Sequence, residues 1–362
     1  MDTLIPMENY YDVFINACLF LVLFTIFHTL LLKLDAPKNQ IFIQFSGFIL
    51  LVVLILFMGQ RPISGVYFGD TINYYRAYTA YQQGATIKEN VGDYGWHLFM
   101  KTAAQLMSVH TFFTIIAFIY IFPMYRISKA FFNQYWYYAF LLFVVSFSFW
   151  TYGVNGIRNG AAASLFLWGL SYHRKKILMI IFFLIAIQFH KTLLLPILAY
   201  GATYFYNNPK IYFKGWLASI PLSLVLGSFW ISLFTSLGFG DDRLAGYLTS
   251  EAQSNTGFRW DFIFYSGFAV FAGWYFIIKR NYKDQVYFQL FNTYLICNAF
   301  WILVIRANFS NRFAYLSWFM MAIVIIYPML KQNFFKNQHF MIGKILLAYF
   351  GFTYLMYKIY YG

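Results

Sequence analysis

Long apolar runs separated by short polar segments fill almost the whole chain. A membrane-crossing helix needs about 20 mostly apolar residues. On that measure the pattern predicts spans near 13–33, 40–58, 111–126, 135–152, 156–172, 177–189, 191–206, 215–236, 262–279, 286–305, 313–330 and 344–360. The two runs flanking His190 are short and fit tilted or broken helices. The expected fold is an all-α polytopic membrane protein with about 12 crossings, forming a single integral membrane domain over residues 1–362.

The polar segments carry the orientation. With the N-terminus outside, the inner loops hold Lys33, Lys38, Arg126, Lys129, Arg174, Lys175, Lys176, Lys210, Lys214, Lys279, Arg280, Lys283, Lys331, Lys336 and Lys344, against only Asp35 and Asp284. The opposite orientation sets the His173–Lys176 cluster outside, against the usual excess of Lys and Arg in cytoplasmic loops. Both termini are therefore expected outside. Eleven cations remain on that side: Arg61, Arg76, Lys88, Lys101, Arg158, Lys191, Arg243, Arg259, Arg306, Arg312 and Lys358. The charge bias of inner loops does not account for them.

Two outer loops are long, about 59–94 and 237–261. The first leads into a stretch where Trp96, Phe99, Ala103 and Leu106 recur at helical spacing, with His97, Lys101 and Gln105 opposite. That pattern predicts an amphipathic helix at the outer interface rather than a span. The second loop, with Asp241, Asp242, Arg243 and Glu251, ends at Arg259-Trp-Asp261. Long loops on one face of a bundle are often lids or binding loops.

Composition narrows the class further. Of 362 residues, 61% are hydrophobic and 10% charged, and the mean hydropathy is +0.59. A soluble domain could not hide that much apolar surface. The net charge of +14 sits in short loops, so it does not point to nucleic acid. Cys18 and Cys297 lie within apolar runs, where neither a disulfide nor a metal site is indicated. The first segment lacks the basic start of a cleaved signal and is expected to stay as an anchor.

The stretch Tyr152-Gly-Val-Asn-Gly-Ile-Arg-Asn-Gly-Ala-Ala-Ala-Ser164 organises the candidate chemistry. It sets a permanent cation, Arg158, at the start of a small-residued apolar run. An arginine there costs several kcal/mol unless it meets water, protein or an anion. Gly156 and Gly160 form a pair of small residues that lets a neighbouring helix approach. Arg306 and Arg312 bracket another short outer loop. Arginine forks grip phosphate oxygens in bidentate fashion, so Arg158, Arg306 and Arg312 suit an anion site. The alternative for each is snorkelling to lipid phosphates.

His190, between two short apolar runs, can take a proton near neutral pH, or can simply cap a helix. Asp70 is the second candidate base; it also fits a turn or helix start after Gly69. Asp93 and Asp261 are weaker candidates. No Walker loop, serine elbow or dinucleotide fingerprint is present. No close acidic pair suggests a divalent ion, so neither cofactor nor metal is expected.

The chain resembles the EpsG branch of Wzy-type polysaccharide polymerases, through short motifs in the expected order over most of its length. Gly59-Gln-Arg61 and Asp70-Thr-Ile-Asn-Tyr74 resemble the family's first outer loop, and Asp93-Tyr-Gly-Trp96 its acid-x-Gly-aromatic lead into the interfacial helix. Gly156-Ile-Arg158-Asn-Gly-Ala161 is similar to its Arg-Gln-Gly/Ala helix start, Phe189-His-Lys191-Thr to its Phe-His-Lys-Ser turn, and Asn311-Arg312-Phe-Ala-Tyr315 to its Arg-Phe-x-Tyr motif. Asn159 stands where Gln is usual, and Asp93 where Glu is commoner.

The resemblance implies a GT-C-like glycosyltransferase that joins oligosaccharide units carried on undecaprenyl pyrophosphate. It would act at the outer face of the bacterial cytoplasmic membrane. The partners implied are the lipid-linked oligosaccharide, the bilayer, a flippase and a chain-length regulator, with no nucleic acid. In that reading His190 or Asp70 is the base. Arg158, Arg306 and Arg312 hold the pyrophosphate, with Arg61, Lys191, Asn159 and Tyr74 as further binding residues. A flippase for the same lipid-linked unit and an O-antigen-ligase-type transferase remain alternatives.

Overall fold

In the computed structural model, residues 5–89, 91–236, 257–307 and 310–361 are described. Their regular secondary structure is all helical, with no strand among them. The helices are α1 (Tyr10–Leu31), α2 (Pro37–Gly59), α3 (Gly65–Phe68), α4 (Thr71–Gln82), α5 (Tyr94–Leu106) and α6 (Val109–Phe132). They continue with α7 (Trp136–Val144), α8 (Phe149–Val154), α9 (Ile157–Ser171), α10 (Lys176–Phe189), α11 (Leu194–Phe205) and α12 (Pro209–Ser236). The last five are α13 (Trp260–Gly273), α14 (Gln285–Leu303), α15 (Asn311–Trp318), α16 (Met321–Lys331) and α17 (Gln338–Tyr361). Most of the second outer loop, with Asp241, Asp242, Arg243 and Glu251, lies outside the described residues.

Among the described residues, eight helical stretches are long and apolar enough to cross a membrane: Met7–Leu31, Pro37–Gly59, Val109–Val144, Pro209–Trp230, Trp260–Lys279, Gln285–Leu303, Asn311–Lys331 and Gln338–Tyr361. The remaining expected spans fall on shorter pieces. The run 135–152 breaks after Val144 into α7 and α8. The run 156–172 is the 15-residue α9, whose rise of roughly 22 Å falls short of a bilayer core. The runs flanking His190 are the short α10 and α11.

The chain divides into two compact units, Met1–Lys191 with Met329–Gly362, and Thr192–Pro328. In the first, α9 is a core helix: its residues from Asn159 to Leu167 are buried without a break. Small side chains permit this. A Cβ on Gly160 would stand 2.2 Å from the carbonyl oxygen of Tyr152, and Ser164 donates to the Tyr120 carbonyl at 2.7 Å. Gly160 thus allows the close approach read from the sequence, whereas Gly156 belongs to the turn before α9 (φ −81°, ψ 43°).

Helix α5 forms over the expected residues, but its covered face differs. Trp96, Met100, Ala103 and Ala104 are buried, and Leu106 is 74% exposed. The reason is packing against protein: Trp96 meets Tyr74, Phe112 and Phe189 at ring distances of 5.6, 6.1 and 5.6 Å.

The second unit is held by a satisfied polar cluster in an apolar interior. Asn298 of α14 accepts from Trp216 Nε1 at 2.7 Å, and donates to Ser266 Oγ at 3.0 Å and Ser317 Oγ at 2.9 Å. Trp318 Nε1 donates to the same Ser266 oxygen at 2.8 Å. Four helices, α12 to α15, are tied at one point. In a membrane interior such bonds also keep buried polar atoms from standing unpaired.

Candidate active site

The first unit gathers most of the expected site residues around the head of α9. Arg158 is the second residue of that helix, where the positive end of the helix dipole disfavours a cation. Asp93 compensates. Its Oδ2 lies 3.1 Å from Arg158 Nη1, with the Asp93 side chain 3% and that of Arg158 19% exposed. Its other oxygen, Oδ1, accepts the backbone N–H of Lys191 at 2.8 Å. One buried carboxylate therefore joins the start of α9 to the His190–Lys191 turn at the end of α10.

Asp93 itself is held in the left-handed region, φ 56° and ψ 51°. An aspartate tolerates that better than most residues, at a cost of order 1–3 kcal/mol. Its carbonyl oxygen accepts the N–H of Trp96 at 3.0 Å, which starts α5. The approach of α5 to α10 is close because residue 95 is glycine: a Cβ there would stand 2.6 Å from Gln188 Cβ.

The Arg158–Asp93 pair uses only one nitrogen of the guanidinium. Nε of Arg158 is buried with no hydrogen-bond partner among the described residues, and so is Oδ1 of the adjacent Asn159. Gly156, which precedes α9, offers no side chain to cap its first N–H groups. A buried donor left unmade costs about 1–3 kcal/mol. Arg158 thus keeps an unused donor, and Asn159 an unused acceptor, among the described residues.

Asp70 stands at the head of α4, half-buried. Its backbone N–H donates to Asn155 Oδ1 at 2.7 Å, and its own Oδ1 accepts from Asn73 Nδ2 at 3.1 Å. This brings Asp70 to the turn immediately before α9. Tyr74, one turn along α4, packs edge-on against Trp96. His190 is buried as the residue ending α10, and the Lys191 side chain is exposed.

Arg61 is placed differently from a substrate ligand. It is 2% exposed, and Nη1 donates to the Met58 carbonyl at 2.5 Å. Nη2 donates to Thr71 Oγ1 and the Val154 carbonyl, both at 3.1 Å. Burial pushes its pKa down to about 10, still a cation at physiological pH. Its donors join the end of α2, the start of α4 and the end of α8.

In the second unit Arg306 and Arg312 are exposed. Arg306 follows α14, with Nη2 3.5 Å from the Leu224 carbonyl near the kink of α12 at Leu226. Arg312 lies in the first turn of α15.

Three residues of the first unit acquire a place that their sequence did not reveal: Asp93 as partner of Arg158, Asn155 as acceptor of Asp70, and His97. His97 Nδ1 is hydrogen-bonded to Tyr81 OH at 2.9 Å. Burial lowers its pKa, the charge of Arg158 lowers it further, and Asp93 opposes both. Asp93 carries a signal as the acid of Asp93-Tyr-Gly-Trp96 and lies one helical turn from His97, and Asn155 sits in an Asn-Gly turn. Among the described residues no three His, Cys, Asp or Glu side chains come together as a metal site.

The family model described as EpsG family matches residues 44–362. No curated protein and no solved structure matches the chain.

Proposed function

The chain belongs to the EpsG family, and we propose that it is a membrane glycosyltransferase that polymerises lipid-linked oligosaccharide units into an exopolysaccharide. Family membership supports the class of exopolysaccharide-related polymerases. The narrower reading is an enzyme of GT-C-like architecture acting on undecaprenyl-pyrophosphate-linked units at the outer face of the cytoplasmic membrane. A flippase and a chain-length regulator are its proposed partners.

The observation that carries the reading is the unpaired Nε of Arg158, beside an ion pair that uses only Nη1. The Nε and Nη2 edge of a guanidinium matches two phosphate oxygens, and the uncapped head of α9 favours an anion by its dipole. In the reaction, the acceptor hydroxyl gives its proton to a base and its oxygen bonds to the anomeric carbon of the donor sugar. The bond from that carbon to the pyrophosphate oxygen breaks, and pyrophosphate departs with the electron pair. Charge grows on the leaving group, so a guanidinium fixed beside it stabilises the transition state more than the ground state.

His190 is the proposed base and Asp70 the second choice. Asn159 and Tyr74 are proposed to contact sugar, and Lys191 to add positive charge. Arg306 and Arg312 are proposed as further anion-binding residues on their chemistry alone. The donor is already activated, so the reaction is written without metal or cofactor and with inversion at the anomeric carbon.

The test uses full-length protein reconstituted with its lipid-linked repeat unit, with product length read on a gel. Wild type should give a ladder. Arg158→Ala, inserted normally, should lower the rate by ~100–1000-fold, as removal of an oxyanion-stabilising donor does. Undiminished chain length in Arg158→Ala would remove Arg158 from the reaction. Movement of the intact lipid-linked unit between leaflets, with no ladder, would turn the reading to a flippase.

A further inference from the structure

The buried carboxylate of Asp93 does more than neutralise a neighbour. Both its oxygens are engaged, on different helices. Oδ2 faces Arg158 Nη1 at 3.1 Å, and Oδ1 receives the Lys191 N–H at 2.8 Å. The residue is 4% exposed and holds a left-handed backbone, and the surrounding structure has to maintain that conformation.

Resting on the polymerase reading above, we propose that Asp93 is a positioning residue for glycosyl transfer. It fixes Arg158 through Nη1 so that the opposite edge of the guanidinium meets the pyrophosphate. Through the Lys191 N–H it fixes the turn that carries His190. A single side chain thus sets the distance between the group that stabilises the leaving pyrophosphate and the group that takes the acceptor's proton. Misplacement of such groups by about 1 Å can cost ~100-fold in rate.

Asp93→Asn is the informative variant. Asparagine keeps an oxygen for the Lys191 N–H and tolerates the left-handed backbone, but it presents an NH2 group where Arg158 needs an acceptor. It loses the charge and keeps the shape. Removing the negative charge also removes a repulsion toward pyrophosphate, which offsets a looser Arg158 in the ground state. The change should therefore fall on turnover rather than on binding.

The experiment measures kcat and KM per folded molecule for the reconstituted protein acting on its lipid-linked unit. Asp93→Asn should lower kcat by ~10–100-fold, with KM within about threefold of wild type. Wild-type turnover per folded molecule in Asp93→Asn would overturn the proposal, whatever its yield. If Asp93→Asn does not insert, Lys191→Pro replaces it, because His190 already has the extended backbone (φ −157°, ψ 116°) that proline requires of its predecessor. That variant deletes the N–H that Asp93 accepts and should be at least ~10-fold slower than Lys191→Ala. Equal rates in those two would overturn the proposal. A ladder from wild type with unaffected variants defeats the positioning role alone, whereas no ladder from wild type defeats the polymerase reading and this role with it.

Discussion

The backbone N–H of Asp70 donates to the side-chain oxygen of Asn155 at 2.7 Å, across 85 residues of chain. This bond sets the head of α4 against the turn that precedes α9, and so places Asp70 near the proposed site. Gly69 makes it possible. Its φ of +54° is strained for any residue with a side chain, and a Cβ would stand 2.4 Å from that same Asn155 oxygen. Gly69→Ala should cost about 1–3 kcal/mol and displace Asp70 from Asn155. A lower melting temperature with reduced polymer output is the expected result, and Asn155→Ala should move both in the same direction. A Gly69→Ala protein that melts and polymerises like wild type would show that this tie does not place Asp70.

Arg61 should respond as part of the framework. Its guanidinium holds the carbonyls of Met58 and Val154 and the hydroxyl of Thr71, and it stacks on Phe113 at 5.2 Å. Each hydrogen bond from a charged group contributes about 1.5–3 kcal/mol. Arg61→Met should sharply reduce the yield of folded, inserted protein, while the surviving fraction keeps a near-normal KM. A well-folded Arg61→Met with a tenfold higher KM would restore Arg61 to the pyrophosphate site.

The pH dependence of stability should run through His97. Burial, and then Arg158, hold its folded-state pKa below the ordinary histidine value, with Asp93 working the other way. A histidine of depressed pKa binds fewer protons when folded than when unfolded. Between the lowered pKa and the ordinary value of about 6.5, stability rises with pH and falls as acid is added. Melting temperature should thus drop as pH is taken below about 6.5, and His97→Gln should flatten that slope. Asp93→Asn should steepen it, because the group opposing the shift is gone. An unchanged slope in His97→Gln would assign the acid sensitivity to another residue.

What the sequence disclosed follows from what lipid demands. Eight helices were legible because a segment facing hydrocarbon needs about 20 apolar residues, and α1, α2 and α17 meet that requirement by themselves. From Trp136 to Ser171 the helices α7, α8 and α9 are buried against protein, where shorter pieces suffice. There the break at Ser146–Ser148 carries no hydropathy signal strong enough to end a run, whereas the one at Asn155–Gly156 falls between the expected runs 135–152 and 156–172. The small residues of α9 read equally as lipid-facing or as core, and only the contact of Gly160 with Tyr152 and Tyr120 decides. Arg158 stood out as a cation at the start of an apolar run. Its partner Asp93 reads only as a weaker base candidate and as the acid of Asp93-Tyr-Gly-Trp96, and nothing in the local pattern pairs it with Arg158. Arg61 drew notice for the same reason as Arg158, yet the Val154 carbonyl that it holds lies 93 residues on, beyond any local pattern.

Asn159 offers the sharpest separation of stability from function. It is 8% exposed, and its side-chain oxygen has no partner among the described residues. A buried acceptor left unmade costs about 1–3 kcal/mol, so its removal relieves a penalty that offsets the small cavity created. Asn159→Ala should melt at or slightly above wild type. If the oxygen accepts a sugar hydroxyl, the same change loses one hydrogen bond to substrate, worth about 1 kcal/mol, and kcat/KM falls by roughly fivefold. Asn159→Asp should lower kcat/KM further, because a carboxylate would stand next to Arg158 and repel the pyrophosphate. A destabilised Asn159→Ala with unchanged kcat/KM would mean that the amide serves packing alone, and that the substrate enters without touching it.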